Sequence, residues 1–192
     1  MNEETIVIVS GLPRCGTSMM MNMLERGGIE PLTDNVRTAN VDNPKGYYEF
    51  ERVKKLPDDT DWLPQAKGKT VKVLAELIKH LPEGYKYKVI FMKRNLKEVI
   101  ESQKKMLKRR GEDPDGVSDE ELRNMFIKYL KVLEREIDDH PDMDVIYVSY
   151  NDMIETPELE VDRINDFLSG GLDTDEMLST IDKNLYRNRA LE

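Results

Sequence analysis

Ile6-Val-Ile-Val-Ser10 runs directly into Gly11-Leu-Pro-Arg-Cys-Gly-Thr-Ser18 and then into Met19 to Arg26. The first stretch is an apolar run of strand length ending at a glycine, and the last reads as a helix. A strand, a tight turn bracketed by Gly11 and Gly16, and a helix in that order make an anion cradle. Backbone amides gather in one concavity at the positive end of the helix dipole. A strand-to-helix turn without a ligand is the plain alternative for the same residues.

A nucleotide triphosphatase cradle reads Gly-x-x-x-x-Gly-Lys-[Ser/Thr], with the lysine on the outer phosphates and the hydroxyl on magnesium. Here Thr17 stands at the lysine position, and the nearest cation is Arg14 within the turn. The cradle is kept and the residue for a β/γ-phosphate is missing. Pro13-Arg-Cys-Gly-Thr-Ser18 resembles the 5'-phosphosulfate loop of sulfotransferases that use 3'-phosphoadenosine 5'-phosphosulfate (PAPS), Pro-[Lys/Arg]-x-Gly-Thr-[Thr/Ser] after the first strand.

Two more segments extend the resemblance. Lys88 to Met92 is a compact apolar run that reads as a buried strand and delivers Lys93-Arg94-Asn95 at its carboxyl end, where open α/β sheets bind ligands. Ser102 follows Arg94 by eight residues, about two turns into the next helix. Taken singly both read as surface residues. Together they are similar to the family's 3'-phosphate signature, Arg-[Asn/Asp] with a serine eight positions after the arginine. Guanidinium clamps phosphate through two charge-assisted bonds and a hydroxyl adds a third. Val148-Ser-Tyr-Asn-Asp-Met-Ile-Glu-Thr-Pro157, followed by Arg163 to Leu168, resembles the family's Tyr-Glu-Asp-[Leu/Met] segment and the helix after it. Asn43 to Phe50 is similar to a small prokaryotic-type branch.

The resemblance spans Ile6 to Leu168. It implies that Arg14, Cys15, Gly16, Thr17, Ser18, Arg94, Ser102 and Tyr150 bind PAPS. Cys15 would contribute its backbone amide where relatives carry serine, and Tyr150 would approach the adenine. An aromatic closing the sheet edge is the other reading of Tyr150. Arg14 would neutralise the leaving phosphate, and no metal is expected. The acceptor is a hydroxyl or amine that needs a general base, and Glu49 is the first candidate, in a segment the family places near the acceptor. A solvated helix carboxylate is the alternative for Glu49. Asp34 is the reserve, with Arg37 a candidate binder of an acidic substrate. His80 and His140 lie at helix ends, positions that suit solvated caps. Arg187 and Arg189 are candidates to close over the cofactor from the C-terminal tail.

A phosphatase-type thiolate at Cys15 would require arginine six positions on, where Met21 stands. Asn95 with Glu98, and Ser118 with Glu121, have the form of an N-cap with its reciprocal acid and open helices to about Arg109 and Asp138. Thr70–Leu74 and Asp144–Val148 read as strands, the latter of buried type, and Glu76–His80 and Tyr48–Leu56 as short helices. Pro57–Gly68 reads as loop, and Pro157–Leu168 as a helix. Alternating strands and helices predict a single-domain, three-layer, P-loop-like α/β fold. The central sheet would be mostly parallel, with about four to five strands. The domain would cover residues 1–190, with 191–192 a candidate cloning remnant.

Composition sets the remaining bounds. Lysine plus arginine number 29 against 38 acidic residues, a net charge of −9, which disfavours nucleic acid as a partner. Apolar runs are strand-sized, and the acidic start leads straight into the first strand, so no membrane span or secretory leader is expected. With one cysteine, Cys15, no intrachain disulfide forms and a cytoplasmic setting is expected. The chain is shorter than most members of the family, so acceptor binding would be open or completed by another subunit of a homo-oligomer. A nucleotide or small-molecule kinase and a noncatalytic module binding 3'-phosphonucleotides are the competing functions.

Overall fold

A computed structural model describes residues 3–34, 36, 46–114 and 116–182. Four strands form one sheet in the order β2 (Thr70–Lys72), β1 (Thr5–Gly11), β3 (Lys86–Lys93), β4 (Met143–Ser149), and every neighbouring pair is parallel. β1 is buried at all positions because a strand lies on each side of it and helices cover both faces. Chain order reverses around β1, which is paired on one side to β2 and on the other to β3. That reversal opens a crevice at the carboxyl ends of β1 and β3, the place where such sheets take ligands.

Register aligns these ends. Gly11 lies beside Met92, and Lys93 beside Ser149. Gly11 holds φ 146°, and a Cβ there would stand 2.6 Å from the Met92 carbonyl, so only glycine lets the two strands approach this closely before the loop begins.

One helical layer comprises α1 (Thr17–Arg26), α6 (Pro157–Phe167) and α7 (Thr174–Ser179), which pack on one another. The other comprises α3 (Leu96–Arg110), α4 (Asp119–Asp138) and the 3-10 turn Ala75–His80. Met20, Met21, Met23 and Leu24 of α1 are completely buried, so its run of methionines is the bed on which the helix lies. Three short helices were not anticipated from the sequence: α2 (Leu63–Ala66), within the segment read as loop, α5 (Tyr150–Glu155) directly off β4, and α7.

α4 opens on the predicted reciprocal cap, with both the Ser118 and Glu121 bonds formed. α3 does not. Asn95 caps it through Lys97 N–H at 3.0 Å, but Glu98 turns inward to Arg94, and the Asn95 amide donates instead to Asn151 Oδ1 at 3.3 Å. A guanidinium partner outcompetes a backbone amide for that carboxylate. β4, read as a buried strand, lies at the sheet edge and is mostly half-buried; Arg163 Nη2 donates to its Tyr147 carbonyl at 3.4 Å, occupying an acceptor on this strand.

Candidate active site

The loop from Leu12 to Gly16 turns tightly. Cys15 N–H donates to the Leu12 carbonyl at 3.2 Å, and two residues take left-handed backbone, Arg14 at φ 75° and Gly16 at φ 92°. Gly16 is the N-cap of α1 and no side chain caps the helix there, so the helix entrance is left to main-chain donors. A positive φ at a non-glycine residue such as Arg14 costs about 1–3 kcal/mol and persists only where surrounding contacts hold it.

Those contacts come from the second motif. Arg94 Nη1 donates to the Arg14 carbonyl at 3.1 Å, and the Arg14 side chain crosses to Ser102, Nε to Oγ at 3.0 Å. Gln103 adds a longer bond to the Pro13 carbonyl at 3.4 Å. Arg94 and Ser102 are therefore not surface residues: the Arg94 side chain is 8% exposed and Ser102 is buried. The Arg94 guanidinium carbon stands 4.4 Å from the centre of the Tyr150 ring, within cation–π range. That ring also lies on Gly16, where a Cβ would be 2.5 Å from Tyr150 Cδ2. Burial raises the Tyr150 phenol pKa, with Glu98 adding to the rise and the Arg94 and Arg14 cations opposing it. Arg14, Gly16, Arg94, Ser102 and Tyr150 are thus one contact cluster.

Cys15 lies under the loop, 2% exposed. Burial pushes its thiol from an ordinary 9 up to about 12, against the pull of the Arg94 cation and of backbone hydrogen bonds at Leu12 and Arg94. The folded state holds this proton more tightly than the unfolded chain does. Its contribution is complete below pH 9 and is lost as pH climbs through the folded value near 12, so base, not acid, strips this stabilisation. Iodoacetamide at neutral pH is expected to leave the folded protein unlabelled and to label Cys15 readily in denaturant; rapid labelling of the folded protein would show an exposed thiolate instead.

Lys72 is a functional candidate that sequence reasoning missed. It ends β2, and its Nζ donates to Ser18 Oγ at 3.0 Å and to the Tyr47 carbonyl at 2.8 Å. The signal was present: a lysine between Val71 and Val73 in an apolar strand must send its amine to a polar partner.

Segment 46–50 reaches the loop through that lysine. Tyr48, at φ 53°, donates from its hydroxyl to Glu25 Oε2 at 2.6 Å and accepts from Asn22 at 2.9 Å, which fastens the segment to α1. The Glu49 side chain is 19% exposed with Lys54 Nζ at 3.9 Å, and its carbonyl accepts from Thr33 Oγ1 at 2.9 Å. Asp34 is engaged structurally: its carboxylate accepts the Glu51 amide at 2.6 Å and the Val36 amide at 3.1 Å. His80 is exposed. His140 bonds the Leu81 carbonyl and the Asp142 amide before the start of β4, at the opposite end of the sheet from the loop, so it is bonded structure and not the solvated cap expected. Arg37, Arg187, Arg189 and residues 43–45 lie outside the described residues.

The fold and the loop define an α/β protein with a glycine-bracketed strand-to-helix turn at the carboxyl ends of its parallel strands. The sequence profile of the sulfotransferase domain matches residues 4–189, and the chain belongs to that family. Among solved structures, mouse sulfotransferase SULT7A1 complexed with PAP (3'-phosphoadenosine 5'-phosphate) is similar at TM-score 0.58 and 15% identity, over 100% of this chain and 69% of that one. The sulfotransferase domain of the Synechococcus PCC 7002 olefin synthase gives TM-score 0.56 and 16% identity, covering 97% and 80%. A sulfotransferase from Alicyclobacillus acidocaldarius gives 0.51 and 15%, covering 94% and 87%. No curated protein matches by sequence. No helix among the described residues is long and apolar enough to cross a membrane.

Proposed function

We propose that this sulfotransferase takes its sulfuryl group from PAPS, passes it to a hydroxyl or amine acceptor and releases PAP. The observation that carries the reading is the contact cluster itself. Arg14 and Gly16 of the loop, Arg94 and Ser102 of β3–α3, and Tyr150 after β4 meet at the carboxyl ends of the strands, with Lys72 reaching in from β2. The donor set fits the ligand: three cations, hydroxyls and a helix entrance without a side-chain cap, in a chain whose net charge is −9. The PAP held by the mouse relative supports the same choice.

The bound donor supplies a sulfur–oxygen bond to its 5'-phosphate, which breaks as the acceptor atom bonds to sulfur, the electron pair staying on the phosphate oxygen. Amides at the start of α1 and the Thr17 and Ser18 hydroxyls hold the 5'-phosphate, while Arg14 and Lys72 neutralise charge growing on the bridging oxygen. Cys15 serves as the spacer that turns the loop. Arg94 and Ser102 hold the 3'-phosphate, and Tyr150 closes the nucleoside side. Glu49 takes the acceptor's proton.

Titration calorimetry with PAP, adenosine 5'-phosphate and magnesium-ATP tests this directly. PAP is expected to bind tightest and without magnesium. A preference for magnesium-ATP would make the chain a kinase, against the threonine at position 17. In the same material Glu49→Gln should bind PAP like the parent and lose transfer by about a hundredfold, as removal of a general base does. Equal turnover would put the base elsewhere, and PAP binding with no transfer to any acceptor would favour the noncatalytic module.

A further inference from the structure

We propose that Glu98 is a positioning residue for the phosphate loop, acting through Arg94 on the Arg14 carbonyl. The proposal rests on the reading of that loop as the anion site. Glu98 is buried at 2% exposure in the first turn of α3, at the position of a reciprocal capping acid, yet its carboxylate turns from the helix entrance to Arg94. Its Oε2 accepts Arg94 Nε at 2.8 Å and its Oε1 accepts Asn151 Nδ2 at 3.3 Å. Asn151 in turn accepts the Asn95 amide, so the carboxylate is tied to α5 and to the start of α3 together.

A guanidinium is planar and rigid, so fixing its Nε edge fixes the direction of its Nη groups. With Nε held by Glu98 and its face against Tyr150, Arg94 delivers Nη1 to the Arg14 carbonyl. That carbonyl belongs to Arg14, the non-glycine left-handed residue of the loop, a conformation that needs outside support. The peptide plane that bond orients also carries the Cys15 amide, whose own bond to Leu12 closes the turn ahead of Gly16. A chain of three links therefore runs from a carboxylate in α3 to the shape of the anion cradle. Lysine at position 94 would break it, because an ammonium has no second edge to orient.

Glu98→Gln is nearly isosteric yet offers one acceptor and one donor where two acceptors are needed, so either Arg94 or Asn151 faces an N–H. Hydrogen–deuterium exchange of the unliganded protein reads the consequence: the amides of Leu12 and of residues 14–18 are expected to exchange faster in the variant, with β2 and α7 unchanged. Affinity for adenosine 5'-phosphate should fall by about tenfold, the size of a misdirected charge-assisted bond, and affinity for PAP by at least as much, since Arg94 also holds its 3'-phosphate. Unchanged loop exchange, acceleration spread equally over β2 and α7, or a loss confined to PAP would each overturn the proposal. Should Glu98→Gln fail to fold, Asn151→Ala leaves the ion pair in place and is expected to show the same loop-specific change at smaller amplitude. A parent protein that binds neither nucleotide would overturn the PAPS assignment, and the exchange comparison would still decide the role of Glu98.

Discussion

Gly16→Ala is expected to abolish nucleotide binding while the sheet stays folded. The residue has φ 92°, and its new methyl carbon would sit 2.5 Å from Tyr150 Cδ2. The left-handed backbone costs about 1–3 kcal/mol for a side chain, and the overlap about another 1–3 kcal/mol. Tyr150 cannot simply move aside, since it is 6% exposed and its ring is against the Arg94 guanidinium. The loop must therefore shift, and PAP affinity should drop by more than a hundredfold in calorimetry. Adding Tyr150→Ala removes the overlap but not the backbone strain, so the double variant should regain part of the fold stability lost by Gly16→Ala. If Gly16→Ala binds PAP like the parent, the loop is not the binding element.

Arg94→Ala should give the largest loss of stability of any single change in the site. It leaves Glu98 buried at 2% exposure without the cation that accompanies it. Stripping one partner from a buried pair costs about 3–5 kcal/mol, which a urea midpoint would register clearly. Replacing both charges with apolar groups of similar volume, Arg94→Met with Glu98→Leu, is expected to restore much of the midpoint because no charge is then stranded. PAP binding should stay lost in that double variant. Recovery of binding along with stability would show that the pair matters only for folding.

Much of this was legible in the chain because the informative residues are short-range. Gly11 and Gly16 bracket a turn after an apolar run, and that layout fixed β1, the loop and α1. Arg94 and Ser102 were legible as a pair only through their match to the family's arginine–serine signature. Their burial was not, since it depends on Arg14 and Tyr150 arriving from 80 or more residues upstream and more than 40 downstream. Glu98 was misread for the same reason. Local pattern makes it a capping acid, and only tertiary packing supplies the guanidinium that takes it. Lys72 went unnoticed because a strand lysine declares a need for a partner without saying which. β4 was read as buried from its apolar run, but run composition cannot tell a strand flanked on both sides from one at an edge. α2 and α7 are too short, at 4 and 6 residues, to show a periodic face.

The methionines beneath α1 bear on how this loop persists through sequence drift. Unbranched thioether chains reshape themselves around altered neighbours, so changes in the floor under the helix are absorbed there. The opposite side of the loop has no such give: glycine, aromatic ring and guanidinium meet at contact distance. Inheritance should consequently be lax below and strict above.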